Sequence, residues 1–169
     1  VTVTNDDLKS ATLTDGFYVH YPGVTVTSIT PSTGNNNGAV SITDLAGSNF
    51  RTGAIVKLRK PGKPDIDATD VLVVSSTRIT CEFDLSGAAV GDWDVYVRND
   101  DGQSGILEEG FSIQYPPPCA TAINPAQGQQ GASLNDVAVS GYDFRDVSTT
   151  VNLQKGGDCM GNGYKVGFT

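Results

Sequence analysis

Apolar and polar positions alternate with a period of two along most of the chain. Ile79, Cys81 and Phe83 are spaced by Thr80 and Glu82, and Trp93, Val95 and Val97 by Asp94 and Tyr96. Val24, Val26 and Ser28 interleave with Thr25, Thr27 and Ile29, and residues 55–59 show the same alternation. A strand turns successive side chains to opposite faces, so each segment predicts a half-buried strand. Nothing reads as a helix. Turn residues interrupt the pattern at short intervals: Pro31 with Gly34, then Gly38, Gly47, Gly53, Pro61-Gly62, Gly87, Gly91 and Asp101-Gly102. Tight hairpins need the positive φ that glycine adopts without cost. About seven short strands in roughly 90 residues predict an all-β chain built as a β-sandwich. The inward register assigns Ile29, Ile42, Phe50, Val56, Leu58, Ile79, Phe83, Trp93, Val95, Val97 and Phe111 to its core.

The pattern also repeats at an offset of 94 residues. Val1, Val3, Asn5, Asp6, Asp7, Leu13, Gly16, Phe17, Tyr21 and Pro22 recur as Val95, Val97, Asn99, Asp100, Asp101, Leu107, Gly110, Phe111, Tyr115 and Pro116. Further on, Ile29, Pro31, Gly34, Gly47, Phe50 and Arg51 recur as Ile123, Pro125, Gly128, Gly141, Phe144 and Arg145. Internal self-similarity at a fixed period marks a repeat architecture. It divides the chain into residues 1–23, the terminal strand pair of one unit; 24–116, a complete unit; and 117–169, the early strands of a further, incomplete or shortened unit. The stretch "YPPPC" at 115–119 reads as a stiff polyproline linker between the last two. In the third segment "QKGGDCMGNG" is a glycine-rich loop, and Tyr164, Val166 and Phe168 of "YKVGFT" take the inward register of residues 79–83.

The order of Pro31, Gly34, Gly38, "VSITDLAGSNF", "GAIVKL", "VVSSTRITCEFDLSG", "GDWDVYVRNDDGQSG" and "GFSI" resembles the IPT/TIG family of immunoglobulin-like domains across nearly all of 24–116. The resemblance implies an immunoglobulin-like β-sandwich in tandem, with Gly47 and Phe50 closing a strand end over the core. The polar "DLAG" at 44–47 departs from the family's plainer strand end. Domains of this kind occur in receptor ectodomains, in transcription factors, beside starch-acting enzymes and as tandem arrays on microbial surfaces. An acidic repeat rich in Thr, Ser, Asn and Gly fits the last setting best.

Charge and candidate chemistry narrow the function. A net charge of -8 with 11 Lys and Arg and no basic run argues against nucleic acid and anionic membrane as partners. No apolar run reaches the ~20 residues of a membrane-spanning helix, so no membrane insertion is expected. His20 is the sole histidine and no nucleophile motif accompanies it, so no catalytic residue, no cofactor and no enzymatic activity are expected. Asp65, Asp67 and Asp70 are close enough in sequence to be weak candidates for a calcium site, but they lack the Gly and bidentate Glu of an EF-hand loop, so no metal is expected and a solvated loop is the favoured reading. The recurring "NDD" at 5–7 and 99–101 is explained by hairpin turn chemistry. Tyr18, Tyr21, Tyr96 and Tyr115 are the aromatic candidates for a carbohydrate platform, although Tyr21 and Tyr115 stand at junctions and are expected to pack unit on unit.

Cys81 falls in the inward register and is expected to be a buried, unreactive thiol. Cys119 and Cys159 are expected to form a disulfide within the third segment, closing a loop of about 40 residues at a model gain of about 4 kcal/mol. Such a bond belongs to an oxidising exterior. No Asn-x-Ser/Thr sequon is present, so N-glycosylation is not expected. The expected protein is therefore a non-enzymatic, extracellular structural or assembly module of a microbial surface. Its partner would be another copy of itself, joined head to tail by strand donation from residues 1–19, or neighbouring repeats of the same chain. A carbohydrate-binding or spacer module of a secreted hydrolase is the alternative.

Overall fold

The structure is a computed structural model and describes residues 1–145 and residue 151. Thirteen strands follow one another, with no helix among the described residues: β1 (Thr2–Thr4), β2 (Ser10–Thr12), β3 (Thr25–Thr30), β4 (Thr33–Asn35), β5 (Ala39–Ser48), β6 (Ile55–Arg59), β7 (Ile66–Asp67), β8 (Thr69–Ser75), β9 (Arg78–Asp84), β10 (Gly91–Arg98), β11 (Ser104–Gln114), β12 (Cys119–Asn124) and β13 (Ala138–Tyr142).

Residues 24–114 form two sheets over one core. One has the order β3-β5-β9-β8 and the other β4-β11-β10-β6-β7. The arrangement is consistent with a β-sandwich. Every core position expected from the alternation is buried, from Ile29 and Ile42 to Trp93 and Phe111, and Val24, Val26, Leu45, Ala54, Leu85 and Ile113 join them. The two sheets meet ring to ring where Phe83 of β9 lies 6.3 Å from Phe111 of β11. The Trp93 indole N–H, which cannot be left unpaired in such a core, donates to the Ala89 carbonyl at 2.9 Å.

Bulges interrupt the simple alternation in several ladders of the two sheets. The β3–β5 register shifts between Val26 and Ser28, which is why Ile29 is buried although it falls out of phase with Val24 and Val26. The β5–β9 register shifts between Ile42 and Leu45. Consequently "DLAG" does not end the strand: β5 continues to Ser48, Leu45 turns fully inward, and Asp44 pairs at the surface with Arg78. In β10–β11 the shift between Trp93 and Val95 is accommodated by Glu109 at φ 50°, whose N–H donates to the Asp94 carboxylate at 2.8 Å. An inserted residue flips the facing parity of everything after it, which is the physical reason that period-two reading fails across a bulge.

The two flanking segments reproduce local pieces of this geometry. β1 and β2 pair as Thr2↔Thr12, Val3↔Ala11 and Thr4↔Ser10, the register of Tyr96↔Ile106, Val97↔Gly105 and Arg98↔Ser104 displaced by 94. The turns agree as well: Asn5 N–H donates to the Lys9 carbonyl as Asn99 N–H donates to that of Gln103, and Leu8 at φ 66° stands where Gly102 has φ 88°. β12 and β13 pair from Cys119↔Tyr142 to Asn124↔Ala138, the register of β3 and β5 down to the same bulge, here between Ala120 and Ala122. A Cβ on Gly141 would strike the Cys119 carbonyl and the Phe144 ring, as one on Gly47 would strike the Thr25 carbonyl and the Phe50 ring.

Residues 1–19 were expected to carry two terminal strands; β1 and β2 lie there, and β2 is shorter than its counterpart β11, ending at Thr12 with residues 13–24 in no strand. In the middle segment the second half of β11 is held by β4 and by the start of β10, and no such ladder flanks 13–19. The third segment's expected features at 154–163, Tyr164, Val166 and Phe168, and the Cys119–Cys159 pairing, lie outside the described residues.

Candidate functional site

Two surfaces stand out, and both are built from the repeat. The first is the apolar face of the flanking segments. Val3 is 64% exposed and Phe17 77%, whereas their counterparts Val97 and Phe111 are fully buried in the middle segment. Val1, Leu13 and Val19 are likewise exposed. At the other end of the chain Phe144 is 42% exposed against 3% for Phe50, and Leu134 is also open. Each flanking segment thus presents, in core register, side chains that the middle segment buries. Fully burying side chains of this size is worth about 1.5–3 kcal/mol apiece. One position changes how such a face can be covered. A Cβ at Gly105 would stand only 2.6 Å from the Val24 carbonyl, and the first hairpin carries Ala11 there. A strand lying on β2 must therefore sit further off than β3 sits on β11.

The second surface is the loop after β5. Asn49 at φ 62° ends the strand, and its Nδ2 donates to the Gly23 carbonyl at 2.7 Å. Arg51 lies with its guanidinium carbon 3.7 Å from the centre of the Tyr21 ring. Its Nη1 donates to the Asp101 carboxylate at 2.8 Å. That hydrogen bond, with a smaller contribution from Tyr21, raises the already high pKa of the guanidinium. Asn99 locks the loop from beneath: its Nδ2 donates to the Asn49 carbonyl at 2.8 Å and its Oδ1 accepts from the Arg51 N–H at 3.2 Å. Asn99 is only 2% exposed. The turn chemistry expected of "NDDG" is present, with Gly102 N–H donating to the Asn99 carbonyl at 3.1 Å and Gln103 N–H to Asp101 at 3.0 Å. The long-range grip of the Asn99 side chain is an addition that no local pattern announces.

The other candidates do not converge on a site. Asp65 and Asp67 face cations, with Asp67 2.7 Å from Lys57 and Asp65 3.3 Å from Arg59. Asp70 sits on β8 at φ 51°. Among the described residues no group of three His, Cys, Asp or Glu side chains is placed to hold a metal ion. His20 stacks on Tyr18 at 5.7 Å on the surface. Of the tyrosines, Tyr96 lies under Arg59 at 3.5 Å, Tyr21 under Arg51, and Tyr115 under Arg145 at 3.6 Å. Each of the four rings thus has a neighbour of its own. The cleft of about 340 Å³ beside Trp93 is lined by Lys63, Ile66, Asp84 and Ser86. Asp84 is held below its ordinary pKa by the Ser86 side chain and N–H, a capping arrangement local to the turn. Cys81 is buried and free, and burial pushes its thiol up to about 12.

Among the described residues no helix is long and apolar enough to cross a membrane. No protein-family model matches the chain, and no curated protein matches it.

Proposed function

We propose that the chain is a non-enzymatic structural and assembly protein made of immunoglobulin-like units of the IPT/TIG kind in tandem. Residues 24–116 are the complete unit, and 1–23 and 117–169 are parts of its neighbours. The units work outside the cell on a microbial surface, a setting in which a Cys119–Cys159 bond would persist. The observation that carries the reading is the exposure of Val3 on the first hairpin and of Phe17 in the segment after it, set against the buried Val97 and Phe111 at the equivalent positions. A hairpin with one apolar face is marginal alone and is stabilised by strands that cover it. The strands equivalent to those covering Val97 and Phe111 are the ones represented at 119–145, whose own apolar side chains are open. A second copy can therefore supply the cover by strand addition. Repetition of one such heterologous contact builds an open filament.

Sedimentation velocity over a wide concentration range tests this. The intact chain should associate progressively, and deletion of residues 1–19 should give a monomer. A double substitution, Val3→Ser with Phe17→Ser, should do the same while leaving the thermal transition reported by Trp93 unchanged. An intact chain that stays monomeric at high concentration, or a double variant that associates as before, would overturn strand donation between copies.

A further inference from the structure

Arg51 and Tyr21 are 30 residues apart and belong to the sheet end and the approach to it, yet their contact is not an isolated one. Arg145 and Tyr115 stand at the same offset of 94 from both partners, and they make the same contact, 3.6 Å against 3.7 Å. Two cation–π contacts at nearly the same distance and at equivalent positions point to a recurrent device. An arginine over an aromatic face is directional, because the ring's quadrupole attracts the cation only along its normal. In the first instance the arginine is also oriented before the tyrosine meets it: Asp101 holds its Nη1, and Asn99 holds its N–H. The approaching segment is then gripped a second time, two residues on, by Asn49 Nδ2 on the Gly23 carbonyl. In the second instance Asp143, at φ 59° as Asn49 is at 62°, has no amide to donate, and the stacked ring remains.

We propose that the loop ending at Arg51 is a docking surface for the tyrosine that closes the preceding unit, and that Arg145 receives Tyr115 in the same way, so that successive units meet in one recurrent orientation. The proposal rests on reading the chain as tandem units, and it does not depend on any association between copies. Tyr21 and Tyr115 serve as pegs. Arg51 and Arg145 serve as sockets, with Asp101 and Asn99 positioning the first of them. The 13–23 segment would otherwise leave β1 and β2 free to reorient, since no ladder ties it to a sheet.

Backbone ¹⁵N relaxation on the full chain, at dilution where it is monomeric, separates the outcomes. Amides of β1–β2 and of β3–β11 should report one common tumbling time. Tyr21→Ala should shorten the value for β1–β2 about 2-fold while leaving β3–β11 unchanged, as expected when a surface contact of this class is removed. Tyr21→Phe, which keeps the ring, should behave as the parent. Tyr115→Ala should free β12–β13 and leave β1–β2 coupled. Independent tumbling of β1–β2 in the parent chain, or no change in Tyr21→Ala, would overturn the proposal. So would a fall in the Trp93 thermal transition with Tyr21→Ala, because the ring would then be serving the middle unit's own fold.

Discussion

Asn99 is the one polar residue buried among the described residues, at 2% exposure. It bridges the ends of two sheets by donating to the Asn49 carbonyl and accepting from the Arg51 N–H, so removing it strands two backbone groups. These backbone groups are half-buried, a typical hydrogen bond is worth about 1 kcal/mol, and Asn99→Ala should lower the stability of residues 24–114 by about that amount per bond in urea melts followed through Trp93. Cys81 offers a second handle at this scale. Its thiol is raised to about 12 by burial, so the folded state holds the proton more tightly than the unfolded chain. That contribution is complete below the unfolded value of about 9 and is lost as pH rises from there toward 12. Stability should therefore decline above about pH 9, less steeply in Cys81→Ala. Iodoacetamide at neutral pH should leave Cys81 unmodified in the folded chain and alkylate it in denaturant, as peptide mass mapping would show.

At the level of strands, the close approach at the end of β5 is the most demanding feature. Gly47 lies against the Thr25 carbonyl and the Phe50 ring, with no room for a Cβ. Forcing one in should cost about 1–3 kcal/mol, so Gly47→Ala should lower the thermal midpoint while leaving circular dichroism all-β. The glycine and the phenylalanine were visible in the sequence because both recur at 141 and 144. The reason for the pairing, ring over glycine, was not. Strand alternation likewise revealed the inward faces of β6, β9 and β10, where the ladders near Val56, Ile79 and Val97 run in step with the sequence. It missed Leu45, and it put Ile29 out of phase with its neighbours, because each follows a bulge whose extra residue leaves no mark on composition. The loop contacts were hidden for another reason. Asn99 touches residues 48 and 50 positions away, and Tyr21 and Arg51 are each explicable alone as a junction residue and a turn residue. Only the fold brings them within reach.

Over the whole molecule, the direction in which the chain crosses the middle unit has a mechanical consequence. Gly105, at the start of β11, lies against Val24 and Thr25 at the start of β3, so the two strands run side by side in the same sense. The chain thus enters at one end and leaves beyond Gln114 at the other, separated by the length of β11, roughly 35 Å at the rise of an extended strand. A pull on the two ends acts along β11. Its last residues are zipped in parallel to β4, Ser112↔Thr33, Ile113↔Gly34 and Gln114↔Asn35, immediately after β3. Hydrogen bonds that lie across the line of force are loaded together, in shear, and must fail together, whereas those of a hairpin pulled open fail one at a time. Tension applied between the two ends of residues 24–114 therefore meets its resistance at the β4–β11 patch, and the force this fold can bear along that line is set there, in three residue pairs.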